Sequence, residues 1–193
     1  MSQSTFQIEL VQDVRVLRLA SADGTNRLTR DLVCALTDEM LRLTAEGRAL
    51  VICGNQRFFS AGADLKEIGV LGGATAYEFA KMGQALMQVV ENFPAPVYAA
   101  VAGYCMGGGL DLALACRYRI ASPKAVFGHR GAALGLITGW GGTQRLPRLV
   151  GKARALQMFV TAEKIGADAA LQMGLIDAIA EDPVAEALCR ARS

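Results

Sequence analysis

Apolar residues change period several times along the chain, and each change predicts an element. "FQIEL" and "VRVLRL" are short alternating or β-branched runs with "VQD" between them, which predicts a hairpin near the start. Asp23-Gly24 marks a turn. Leu32, Leu36, Met40 and Leu43 then recur at helical spacing, and "ALVICG" follows as a buried strand. The polar, glycine-containing "NQRFFSAGADLKEI" predicts a loop running into a helical turn. The clearest helix is "TAYEFAKMGQALMQVVENF": Phe79, Met82, Leu86, Val89 and Phe93 share a face, Thr75 and Glu78 have capping-box spacing, and Pro94 stops it. "PVYAAVAG" predicts a strand, "GGGLDLALACR" a turn into a helix, "YRIAS" and "AVFG" strands, and "VGKARALQMFV" a further helix. Strand and helix alternate, which predicts an α/β fold with sites in the loops after strands.

Composition narrows the class. The 193 residues suit a single domain, 1–193, and 52% hydrophobic against 20% charged residues supplies a core. Residues 183–193, "DPVAEALCRARS" from Pro183 on, are expected to form a short tail with at most one helix. The formal net charge is +2 and the basic residues are scattered, which argues against nucleic acid as a partner. Five cysteines without a CxxC pair, and one histidine, leave no metal site of the usual spacing. Reduced thiols, the lack of a membrane-length apolar run and a start without secretory order together predict a soluble, cytoplasmic protein with no membrane partner.

Two glycine loops carry the candidate chemistry. "FSAGADL" and "YCMGGGLDL" each follow a predicted strand and precede a predicted helix, where backbone N–H groups lack partners within the helix. Two such donors converging on a thioester carbonyl would form an oxyanion hole for an enolate. Glycines that only permit tight turns and close packing give the same pattern, so the loops alone leave both readings open. Asp111 opens the apolar run after the second loop; a first-turn acid suits the helix dipole as well as it suits catalysis.

"FFSAGADLKEI" followed by "VAGYCMGGGLDLALACRYRIAS" resembles the two signature segments of the crotonase (enoyl-CoA hydratase/isomerase) superfamily. "GWGGTQRLPRLVGKARALQMFVTAEKIGADAALQMGLIDAI" resembles the segment that follows them, so the resemblance runs from Phe6 to Ile179. It implies a β-β-α spiral of the ClpP/crotonase kind and acyl-CoA substrates. It further implies an oxyanion hole whose amides fall by position on Ala61 and Gly108, with the CoA moiety held along Ala61, Gly62, Ala63 and Asp64. Coenzyme A then enters as part of the substrate, with no tightly bound cofactor, and the chain is expected to form a homo-oligomer, a trimer or hexamer. Asp111 occupies the position of a water-activating glutamate in the family's hydratases, with a reach shorter by about 1.5 Å, one carbon–carbon bond.

The chain departs from that pattern at Gly131, where the hydratases place a second glutamate. His129 and Arg130 flank this position, so the three residues are a candidate anion site, for bicarbonate or a substrate carboxylate; a solvated surface loop is the other reading. Naphthoate synthases of the superfamily are similar here, with a glycine at this point and bicarbonate in the space, although Leu136 and Thr138 stand where those enzymes carry further polar groups. A malonyl-type decarboxylase or anion-assisted lyase is therefore an alternative function. A second is a Cys-His acyl hydrolase, because "CMG" at 105–107 with His129 resembles the serine-protease branch of the same fold with Cys105 as nucleophile. A third is a CoA-binding or scaffold protein without catalysis. Family chains usually continue past "GLIDAI" into helices that cover the acyl pocket, and here that cover is expected to be absent or very short.

Overall fold

The hairpin forms as the alternating runs predict. The computed structural model describes residues 5–192, and in it β1 (Phe6–Val11) pairs antiparallel with β2 (Val14–Leu19), Phe6 opposite Leu19 and Val11 opposite Val14. Gln12 and Asp13 alone connect them, with φ of 48° and 71°, the two positive values that a tight hairpin turn requires. After β3 (Arg27–Leu28), α1 (Arg30–Thr44) starts at Thr29, whose hydroxyl accepts a bond from the Leu32 N–H.

Three β-β-α passages follow, and each lays its first strand into a large sheet. In the first, β4 (Leu50–Cys53) leads to the short strands β5 (Phe58–Ser60) and β6 (Gly62–Ala63), then α2 (Leu65–Ile68) and α3 (Gly73–Glu91). In the second, β7 (Val97–Val101) and β8 (Tyr104–Met106) precede α4 (Gly108–Ala115). In the third, β9 (Tyr118–Ala121) and β10 (Val126–Gly128) precede a 3-10 turn at Arg130–Leu134, then α5 (Gly142–Val150) and α6 (Lys152–Thr161). The chain closes with β11 (Ile165–Gly166), α7 (Ala167–Gln172), β12 (Ala178–Ile179) and α8 (Pro183–Ala191). The large sheet has the order β1-β2-β4-β7-β9-β12 and is parallel beyond the hairpin. A smaller sheet, β11-β10-β8-β5, takes the second strands, and β3 pairs with β6.

Both faces of the large sheet are covered, which is why its strands read as continuous apolar runs. Leu50 and Ile52 of β4, and Val97, Ala99 and Val101 of β7, face the helices α1, α3 and α4. The alternate residues Val51, Cys53, Tyr98 and Ala100 face α8, whose Ala187 is fully buried. The expected tail is thus the second layer of the core. Its start is fixed by Asp182, which accepts from the Val184 and Ala185 N–H groups, so Asp182→Ala is expected to cost about 1 kcal/mol in thermal denaturation.

Three expectations change. The loop predicted over "NQRFFSAGADL" contains β5 and β6, strands too short to show a period. Helix α3 begins at Gly73, so Thr75 accepts from the Gly72 N–H and the Thr75/Glu78 capping box does not form. Helix α5 precedes the predicted helix at Val150, masked by its glycine start and by Pro147 inside it.

Candidate active site

A cavity of about 380 Å³ opens where the two glycine loops meet the segment after β10. Ala61, Gly62 and Ala63 form one wall, Met106, Gly107, Gly108 and Asp111 another, Ala76, Phe79 and Ala80 of α3 a third, and the stretch from His129 to Trp140 closes it. The loops touch: Gly62 has φ of 98°, and a Cβ there would lie 2.7 Å from the Met106 carbonyl and 3.3 Å from the Gly108 nitrogen. Gly108 is the first residue of α4, so its N–H has no acceptor within the helix.

The Ala63 nitrogen lies beside Gly108, 3.3 Å from where a Gly108 Cβ would sit. The Ala61 N–H, assigned by resemblance to the oxyanion hole, instead donates to the Thr25 carbonyl at 2.9 Å. Asp64 caps α2, accepting from the Lys66 N–H at 2.7 Å, and is absent from the cavity wall.

Asp111 is 1% exposed. Burial pushes its carboxyl pKa up to about 7, against the pull of the Thr138 hydroxyl, Arg145 and the Gly142 backbone N–H. The Thr138 hydroxyl donates to Oδ2, while Oδ1 has no well-aligned partner. His129 is 3% exposed, packs its ring 5.1 Å from that of Phe159, and holds Nε2 3.6 Å from Asp111 Oδ1. Burial lowers its pKa to about 4, so the imidazole is neutral at pH 7.

His129 is therefore neither solvated nor a cation. At Gly131 a Cβ would lie 2.7 Å from the Leu136 carbonyl, so the direction a glutamate would take is filled by backbone. Arg130 is exposed at the mouth. The expected anion site of His129, Arg130 and Gly131 does not assemble as a cationic socket. Cys105 is fully buried, its thiol donates to the Gly109 carbonyl and burial raises its pKa well above the ordinary range, which removes the thiolate a Cys-His hydrolase needs.

Two residues that the sequence did not single out shape the site. Gly142 makes room for Asp111, since a Cβ there would come within 2.2 Å of Oδ1. Trp140 lies against Gly83 and Gly108, where a Cβ would come within 2.2 and 2.6 Å of its ring, and its Nε1–H donates to the Phe79 carbonyl. The signal was the unexplained Gly83 in the middle of an otherwise good helix. A second cavity of about 330 Å³ lies at the other ends of α3 and α4, with Arg145 paired to Glu91 on its wall, and holds no carboxyl–imidazole pair. Among the described residues there is no cluster of three or more potential metal ligands, and no helix is long and apolar enough to cross a membrane.

Comparison with known proteins agrees with this architecture. A probable enoyl-CoA hydratase of Bacillus subtilis (strain 168) is 47% identical over 136 residues, 70% of this chain; that match covers 53% of the relative, about half its length. A crotonyl-CoA hydratase of Syntrophomonas wolfei is 35% identical over 184 residues, 94% of this chain and 71% of the relative. Among solved structures, Pseudomonas aeruginosa DspI superposes with a TM-score of 0.93 at 33% identity, over 98% of this chain and 79% of that one. Enoyl-CoA hydratase from Bacillus anthracis superposes with a TM-score of 0.92 at 32% identity, over 98% and 76%. The fold is therefore the crotonase spiral. The sequence model of the enoyl-CoA hydratase/isomerase family matches residues 9–192, and the chain belongs to that family.

Proposed function

We propose that the chain is an acyl-CoA enzyme of the enoyl-CoA hydratase/isomerase type, which moves a proton at the α-carbon of a thioester. The observation that carries this is Asp111, a buried carboxyl with a pKa of about 7, on the same helix turn as the free Gly108 N–H. A pKa near the working pH lets one group take a proton in one step and return it in the next. As the α-proton leaves, negative charge gathers on the thioester oxygen, and we infer that the Gly108 N–H, with the Ala63 backbone beside it, stabilises that charge. Leu71, Phe79, Ala80 and Ile137 give the cavity an apolar wall suited to an acyl chain.

The names of the similar proteins support a lyase or isomerase acting on acyl-CoA. Coenzyme A is then part of the substrate, with no tightly bound cofactor, in a cytoplasmic setting. Exposed Leu149, Leu156, Val160 and Leu171 on α5, α6 and α7 favour a homo-oligomer. The test is proton exchange: with butyryl-CoA in D₂O, the protein is expected to place deuterium at C2, followed by NMR. Neither exchange nor calorimetric binding of butyryl-CoA at millimolar concentration would overturn the reading.

A further inference from the structure

His129 has no role in that chemistry as described, yet it is buried against the one acid that does. Asp111 Oδ1 and both ring nitrogens, Nδ1 and Nε2, lack well-aligned hydrogen-bond partners, although the Gly142 backbone N–H draws on the carboxyl. Buried polar groups are nearly always paired, so Oδ1 and Nε2 facing each other at 3.6 Å, too far for a hydrogen bond, mark a place built for a ligand atom. Three separate elements bring them together: the first turn of α4, the residue after β10, and the start of α5, where Gly142 leaves the space that a Cβ, 2.2 Å from Oδ1 and 3.0 Å from His129 Cε1, would close. Thr138 already occupies Oδ2 with a hydroxyl. The free side of the carboxyl is the side that Nε2 faces.

We propose that Asp111 and His129 together bind the oxygen that adds to or leaves the β-carbon, with His129 as a second catalytic residue. The fitting ligand atom is a water or a 3-hydroxyl oxygen, because a neutral imidazole and a carboxyl offer it both acceptors and a donor and would not retain an anion. This rests on the proposed acyl-CoA activity. It also gives the chain a way to hold water without a second carboxylate. In hydration one O–H bond of water breaks and its proton passes to Asp111, while Nε2 accepts a hydrogen bond from the other O–H. The oxygen bonds to C3 as the C2=C3 electron pair moves into the thioester enolate. The proton on Asp111 then passes to C2, so the product carries H at C2 and OH at C3.

His129 is the sole histidine, so its ring can be read directly in ¹⁵N-labelled protein. Addition of 3-hydroxybutyryl-CoA is expected to shift the ring nitrogens, and butyryl-CoA, which lacks the oxygen, is expected to leave them unchanged. Crotonyl-CoA hydration should fall about 10²-fold in His129→Phe, as for loss of one positioned proton-transfer group. Deuterium exchange into butyryl-CoA should fall far less, and His129→Gln, which keeps a hydrogen-bonding side chain, should recover part of the hydration. Near-UV circular dichroism of both variants checks that they fold. Equal ring shifts with the two thioesters, no shift with either, or His129→Phe hydrating at the wild-type rate would each overturn the proposal. Failure of the underlying activity is separate, since it removes wild-type exchange and butyryl-CoA binding as well.

Discussion

Asp111→Asn is expected to lose about 10²–10⁴-fold in turnover, the usual contribution of a positioned acid–base group, and at the same time to become more stable than the wild type above neutral pH. The stability gain follows from where the carboxyl sits. In the unfolded chain an aspartate gives up its proton near 3.8, whereas in the fold Asp111 keeps it to about 7. A proton held more tightly by the folded chain stabilises the fold, and this contribution is complete below pH 3.8 and lost as pH rises through about 7. The shift corresponds to on the order of 4 kcal/mol between the two limits. Asparagine has no proton to lose, so the Tm difference between variant and wild type should grow from pH 5 to pH 8.5. His129 acts in the opposite direction, since its pKa falls from 6.5 to about 4 and stability present above pH 6.5 is lost as pH drops toward 4. Thermal denaturation at pH 5, 7 and 8.5, with exchange assays alongside, reads both effects. A Tm difference that stays flat across this range would mean that Asp111 ionises freely in the fold.

Gly142→Ala should disable the site through volume alone. Its backbone does not require glycine's conformational range; the added methyl would lie 2.2 Å from Asp111 Oδ1, 2.9 Å from Thr138 Cγ2 and 3.0 Å from His129 Cε1. All three neighbours belong to the carboxyl–imidazole cluster, so whichever yields, the cluster loses its geometry. Overpacking of this kind costs about 1–3 kcal/mol, and a displacement of about 1 Å at a reacting group costs about 10²-fold in rate. Gly73→Ala is the matched control, because a Cβ there meets nothing within 4 Å and the residue starts an exposed helix turn. The control should keep wild-type kcat/KM and Tm. Wild-type activity in Gly142→Ala would show that Asp111 can move aside without cost.

The readable parts of this sequence were those where one residue's neighbours in the chain decide its structure. The hairpin, α1, the body of α3 and the runs at β4 and β7 follow from periodicity, because burial repeats along each element. The start of α3 did not follow, since Thr75 was equally able to begin the helix or to stabilise it from its third position, and only the placement of Gly72 decides. In the site, the glycine loops and Asp111 could be found, but the partners of each group come from distant segments. The Ala61 N–H is taken by the Thr25 carbonyl, 36 residues earlier, a partner that no local pattern could reveal. His129 looked like a loop residue beside Arg130, and only the packing of Phe159 and Gly142 around it turns it into a buried neutral base. Thr138 drew notice only as a departure from a pattern, although its hydroxyl is bonded to the Asp111 carboxyl.

The large sheet adds its strands in strict chain order, β1-β2-β4-β7-β9-β12, so no strand has to be inserted between two that are already paired. A chain synthesised from its N-terminus can therefore build the sheet outward from the hairpin, laying each new strand on an edge that has already emerged. Its vulnerable moments are also set by this order. Until β7 arrives, β4 presents a free edge with Leu50 and Ile52 on one face and Val51 and Cys53 on the other, apolar on both sides and open to pairing with another nascent chain. The same two-sided burial that secures the finished sheet makes every pause in its assembly a point where a chaperone has surface to hold.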